Sequence, residues 1–125
     1  MLPAAKKPYL LPIPTVGVYL LHGHIAGREE EAVYYIGQST DIRSRAAAHK
    51  ASLWLSMRVI VLHELAEKHQ NFILELENKY INAALFLNLP LVNGALRPSL
   101  VLQPEDMEIE IKQLERALGL LKGAR

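Results

Sequence analysis

Thr15-Val16-Gly17-Val18-Tyr19-Leu20-Leu21, then Val33-Tyr34-Tyr35-Ile36-Gly37, then Gln38-Ser39-Thr40-Asp41-Ile42-Arg43-Ser44-Arg45 and His49, is the stretch on which the fold turns. Its first two segments are dense in β-branched, aromatic and aliphatic residues, which predicts strands over residues 15–21 and 33–37. Residues 22–31 between them hold two glycines, two histidines and three glutamates, the composition of a long exposed hairpin loop. Alternation puts Val16, Val18 and Leu20 on one face of the first strand and Gly17, Tyr19 and Leu21 on the other. In the second strand Tyr35 shares a face with Val33 and Gly37, and Tyr34 opposes it. A suitable register brings Tyr19 and Tyr35 to the same side of the hairpin. The bland alternative is a pair of ordinary packing tyrosines.

Thr40 or Ser39 is placed to cap a helix, with Asp41 in its first turn, running to about Lys50. Residues 57–63 predict a third strand, and residues 67–87 a long helix ended by Leu89-Pro90. Residues 91–98 read as irregular. Pro104 suits the first position of a last helix, with Glu105 and Asp106 beside it. Met107, Ile111, Leu114, Leu118 and Leu121 recur there at helical spacing, and Gly123 closes it. The expected class is α+β: a small three-stranded antiparallel sheet flanked by helices, with an added C-terminal helix. Residues 1–14 carry four of the seven prolines and read as an extended arm, residues 15–98 as the compact domain. Residues 99–125 read as a helix packed on that domain or forming a dimer seam.

The chain of 125 residues fits one domain, and half its residues are hydrophobic, enough for a real core. It has no cysteine, so disulfides and thiolate metal sites are excluded. A formal net charge of +1 is low for a domain that binds nucleic acid strongly by itself. The apolar runs are too short for a bilayer, and Pro8, Pro12 and Pro14 interrupt the N-terminal segment, so a soluble, cytoplasmic protein is the default expectation.

Periodicity also sorts the charged residues. Ile42, Arg45, His49 and Leu53 fall on one stripe of the first helix, so Arg45 and His49 are expected to face the fold, and Arg43 solvent. An inward arginine needs an acceptor, which a bound phosphate or a structural carboxylate supplies. On the long helix Glu77 lies with Ile73, Tyr80, Ile81 and Ala84, while Glu75 lies with Asn71, Asn78 and Asn82 on the polar side. A carboxylate on an apolar face is costly unless paired or bound to a cation. Magnesium suits a lone carboxylate because it keeps waters and shares substrate phosphate oxygens, and a Glu77–Arg45 ion pair is the alternative. His22 and His24 form a His-x-His pair without a further zinc-ligand set, in keeping with a plain loop. Trp54 has a core role as its first reading and base stacking as its second.

These residues resemble the GIY-YIG nuclease superfamily. Its first motif appears as Gly17-Val18-Tyr19 and its second as Tyr35-Ile36-Gly37. The family arginine, eight residues after the second motif's glycine, falls on Arg45, and the histidine one helical turn later on His49. The metal-binding glutamate falls on Glu77 within Glu77-Asn78-Lys79-Tyr80-Ile81, and the late asparagine that braces the site on Asn93. The resemblance spans roughly residues 15 to 95. Gln38 stands where many excision-repair relatives carry lysine, with Arg43 or Lys50 as replacement phosphate contacts. Gln38, Ser39, Arg43 and Lys50 are the candidate nucleic-acid contacts.

The resemblance implies a metal-dependent endonuclease that hydrolyses DNA phosphodiesters through a single-metal site. Glu77 would hold magnesium, with manganese as a substitute. Arg45 would contact phosphate, and Tyr19, Tyr35 or His49 would activate water. Asn93 would orient its neighbours. The alternatives are a non-catalytic nucleic-acid- or protein-binding module on the same fold, and a nuclease subunit, homodimeric or in a larger DNA-processing assembly, that takes its specificity from a partner.

Overall fold

The computed structural model describes residues 16–27, 29–52, 54–92 and 102–123. The architecture is α+β, as the patterning predicts. Strands β1 (Gly17–Ile25), β2 (Val33–Ser39) and β3 (Trp54–Glu64) form one antiparallel sheet, in the order β2-β1-β3. Helix α1 (Ile42–Ser52) connects β2 to β3. A 3-10 segment (Glu67–Phe72) leads into α2 (Ile73–Phe86), and a second 3-10 turn (Pro104–Asp106) precedes α3 (Glu108–Gly123). Among the described residues no helix is long and apolar enough to cross a membrane.

The central strand separates two cores. Val18 and Leu20 pack with Ile36, Leu62, Tyr80, Ala83, Leu114 and Leu121, so α2 and α3 cover that face. Tyr19 and Leu21 pack with Val33, Ile42, Ala46, Trp54 and Val59, so α1 covers the other. The alternation read from the first strand therefore holds, and so does the core role of Trp54, which is 8 % exposed. The apolar stripe of α3 is spent on the domain, with Met107, Leu114, Ala117 and Leu121 buried. A helix seam between two copies would have to use the opposite side, where Ile109 and Leu120 are exposed.

Several boundaries differ from the sequence-based expectation. β1 continues through His22, Gly23, His24 and Ile25, which the composition assigned to a loop. β3 begins at Trp54 rather than Met57, and the two extensions pair with each other, His24 opposite Ser56 and Ile25 opposite Trp54. Partnering across the sheet supplies the backbone hydrogen bonds that a His-Gly-His propensity does not suggest. The first helix is capped by Asp41 itself, whose Oδ1 accepts the Ser44 N–H at 3.2 Å and whose Oδ2 accepts the Ser44 hydroxyl at 2.9 Å. Ser39 acts one step earlier, its Oγ accepting the Asp41 N–H at 2.9 Å. The long helix opens with 3-10 geometry and becomes α-helical only from Ile73. It stops at Phe86, with Asn88 in the left-handed region at φ 61° before Leu89-Pro90. Asn82, assigned to the polar side, is buried. Its Nδ2 donates to the Asn78 carbonyl and its Oδ1 accepts the Leu102 N–H, tying α2 to the lead-in of α3.

Gly17 has a packing reason. A Cβ there would run into the carbonyl oxygen of His63, beside the irregularity where β3 opposes Val18 and Tyr19. Because the obstacle is backbone, no side-chain rotation relieves it. Gly17→Ala should destabilise the protein by about 1–3 kcal/mol, read as a lowered urea midpoint with an unchanged m-value.

Candidate active site

The site is built on the α1 face of the sheet. Tyr19 pairs with Gly37 across β1 and β2, and Leu21 with Tyr35, so the two tyrosines are diagonal neighbours on one face. Their ring centroids are 6.3 Å apart. Gly37 makes that approach possible: a Cβ there would lie 2.6 Å from the Tyr19 hydroxyl and 2.8 Å from the Tyr35 ring. The glycine of the second motif is thus a site residue, cleared so that two phenols fold over the strand.

His49, one turn before the end of α1, completes the cluster. Its ring centroid lies 4.7 Å from that of Tyr35 and 6.1 Å from that of Tyr19. Tyr19 Oη and His49 Nε2 are hydrogen-bonded at 3.1 Å. Burial and the Arg45 guanidinium hold the imidazole below its ordinary pKa of 6.5, so near neutral pH it is uncharged. With its proton on Nδ1, it accepts the hydrogen bond and the phenol donates.

Tyr19 is 1 % exposed. Burial first, then Tyr35 and Glu77, push its ionisation far above the ordinary value, while Arg45 opposes them. Tyr35 is half-buried and shifted the same way by burial and Glu77, again opposed by Arg45. Both phenols are neutral at neutral pH in the protein alone. Arg45 and Glu77 thus act on the same two hydroxyls with opposite sign.

Two sequence-based assignments change here. Arg45 is exposed, as is Arg43, so the helical stripe does not bury it. It stands at the rim, close enough to influence Tyr19, Tyr35 and His49. The stripe is instead completed inward by Ala46, which is fully buried beside Ile42. Gln38 pairs with Val18, on the sheet face opposite the two tyrosine rings. Ser39 spends its hydroxyl oxygen in the turn that precedes Asp41. Asn93 lies outside the described residues, as do Leu53, the N-terminal arm and the Lys50 side chain.

The contrast between the two glutamates holds. Glu75 is exposed, whereas Glu77 is half-buried and its carboxyl is raised above the ordinary 4.5 by burial. Among the described residues no three His, Asp or Glu side chains gather as a metal cluster. Among the described residues Glu77 would therefore be a lone carboxylate donor toward a cation. That fits a hard ion that keeps most of its water shell.

His22 and His24 lie on β1, not in a loop. His24 Nδ1 is hydrogen-bonded to Ser56 Oγ at 3.1 Å. The His22 ring packs against Tyr34 at 4.5 Å, and its buried Nδ1 has no hydrogen-bond partner among the described residues. The two residues that sequence reasoning undervalued are Gly37, counted only as a motif letter, and Asp41, whose cap aims α1 at the tyrosines. The Asp-x-x-Ser spacing of Asp41 and Ser44 was the available signal for the second. The chain matches no family model, no curated protein and no solved structure.

Burial of an ionised Glu77 costs stability. Its folded-state pKa is raised, so the folded protein holds the proton more tightly, and the cost is greatest above that pKa. Glu77→Gln should therefore raise Tm at neutral pH. The gain should shrink as pH falls and vanish below about 4.5, where the carboxyl is protonated whether the chain is folded or not. Thermal melts of both proteins across pH 3 to 8 measure this.

Proposed function

We propose that this chain is a divalent-metal-dependent endonuclease of the GIY-YIG type that hydrolyses DNA phosphodiester bonds. The observation that carries the reading is the convergence of Tyr19, Tyr35 and His49 under the opposed influence of Arg45 and Glu77. An uncharged imidazole, an exposed guanidinium at the rim and a half-buried carboxylate suit phosphodiester hydrolysis.

Glu77 is the residue that would hold magnesium or manganese, and the bound ion would shield the charge developing on the phosphate. The residues of the chain divide the remaining work. Arg45, exposed and always charged, donates to a phosphate oxygen at the rim. His49 Nε2 is the terminal proton acceptor. The Tyr19 hydroxyl relays to it: its own proton goes to Nε2 as Oη takes one from the attacking water. No free phenolate forms, which agrees with the raised ionisation of that phenol. Tyr35, less buried and with its ring tilted against the imidazole, orients the water. Among the three base candidates this order favours His49.

The formal net charge of +1 supplies little sequence-independent attraction to DNA. That favours a partner chain, or a second copy, as the source of substrate specificity.

With magnesium or manganese, the purified protein should nick or degrade at least one substrate among single-stranded, duplex, flap and branched DNA, and chelator should stop it. Glu77→Gln and Arg45→Ala should each reduce the rate by about 10²–10³, while Glu75→Ala and Arg43→Ala change it little. Inactivity on every substrate with both metals would favour a binding module. Because His49 must be neutral to accept the proton, kcat/KM should rise with pH along an acid limb below about 6.5. His49→Gln should abolish the rate while leaving Tm within a few degrees of the parent. An unchanged profile in that variant would remove His49 from the proton path.

A further inference from the structure

We infer that His22, His24, Ser56 and Arg58 form a binding site for a phosphate group, on the sheet face opposite Tyr19 and Tyr35. The strand register gathers them. His22 stands across from Tyr34 on β2 and from Arg58 on β3, and His24 stands across from Ser56. Alternation along β1 puts both histidines on the face of Val18 and Leu20. Ser56 and Arg58 are exposed there, and both imidazoles are partly so.

The donors are oriented but not used up. Arg58 Nη1 donates to the Leu121 carbonyl at 3.3 Å, in the last turn of α3, which holds the guanidinium in place. That carbonyl takes one N–H of the fork and carries no full charge, so the remaining N–H groups are left for a ligand. His24 Nδ1 and Ser56 Oγ are hydrogen-bonded at 3.1 Å. Whichever gives the proton, one donor is left over: the His24 Nε2–H if the hydroxyl donates, the hydroxyl's own O–H if Nδ1 donates. The His22 ring packs on Tyr34 at 4.5 Å, and its buried Nδ1 has no hydrogen-bond partner among the described residues.

The charges decide the sign of the ligand. Burial, then Arg58 and His24, hold the His22 imidazole below its ordinary value, and no carboxylate is among the groups that act on it. The titratable and charged groups that face it are Tyr34 from β2, Arg58 from β3 and His24 from its own strand. Basic groups gathered without a counter-charge repel one another until an anion arrives. A bound phosphate supplies that charge, accepts from the guanidinium fork and the His24–Ser56 pair, and favours protonation of His22. A metal ion fits worse, because Arg58 would repel it and among the described residues no third His, Asp or Glu completes a ligand set. The site uses none of the groups on the Tyr19 face, so it stands apart from the nuclease reading.

The test titrates the full chain, with chelator present, using sodium phosphate, pyrophosphate and a short single-stranded oligonucleotide, each against sodium chloride of equal ionic strength. The imidazole resonances of His22 and His24 are followed by NMR, and Tm is measured alongside. A phosphate probe should shift both imidazoles saturably and move the His22 titration to higher pH. Arg58→Gln should weaken that binding by roughly tenfold, and Ser56→Ala should weaken it less. Both positions are exposed, so the variants should fold. Phosphate stabilises proteins in general, so the stability readout is the part of the Tm gain that Arg58→Gln removes. Tighter binding of the oligonucleotide than of pyrophosphate, falling steeply with salt, makes a nucleic-acid backbone the source; tighter binding of pyrophosphate makes it a small phosphate compound. Three results overturn the proposal. One is shifts no larger than in chloride with every phosphate probe, and another is shifts that Arg58→Gln leaves intact. The third, in an arm without chelator, is zinc perturbing both imidazoles where phosphate does not, which would make the pair a metal chelate.

Discussion

β1 lies between β2 and β3, so both of its edges are bonded and both of its faces are buried. Every other contact follows from that placement. Alternation must send Val18 and Leu20 to one core and Tyr19 and Leu21 to the other. A slip of one residue would drive Tyr19 and Leu21 toward the α2–α3 core and turn Val18 and Leu20 beneath α1. Glycine at position 17 protects this register on the β3 side, where the His63 carbonyl leaves no room for a side chain. Glycine at position 37 protects the β2 side, where the Tyr19 ring fills the space a side chain would take.

The same placement governs the chemistry. Tyr19 belongs at once to the sheet, to a hydrophobic core and to a hydrogen bond with His49. Burial that stabilises its ring makes its hydroxyl a poor acid. Glu77 bears the opposite burden. It is held half-buried by an amphipathic helix that gains nothing from its charge. A residue that costs stability where it stands is better understood through what it can bind than through what it supports.

Legibility in the sequence followed the range of the determining interaction. The strand alternation, the helix order, the Glu75–Glu77 contrast and the apolar stripe of α3 all depend on residues a few positions apart, and each reads correctly. Arg45 does not. Its stripe on α1 runs along the boundary between core and solvent, and only the buried Ala46 shows on which side of that boundary it falls. The extra strand residues 22–25 and 54–56 escaped for a related reason. Each segment is a weak strand alone, and pairing with the other holds both.

By itself the sequence determined the class of fold, the face that carries Tyr19 and Tyr35, and the acidic residue that stands on an apolar stripe. These are consequences of side-chain period along a single element. Tertiary structure alone decided that Tyr19 meets His49, thirty residues away, that Arg45 stands at the rim, and that burial shifts Tyr19, Tyr35, His49 and Glu77. Desolvation and contact between elements depend on what the remainder of the chain packs around a residue, and no local pattern encodes that.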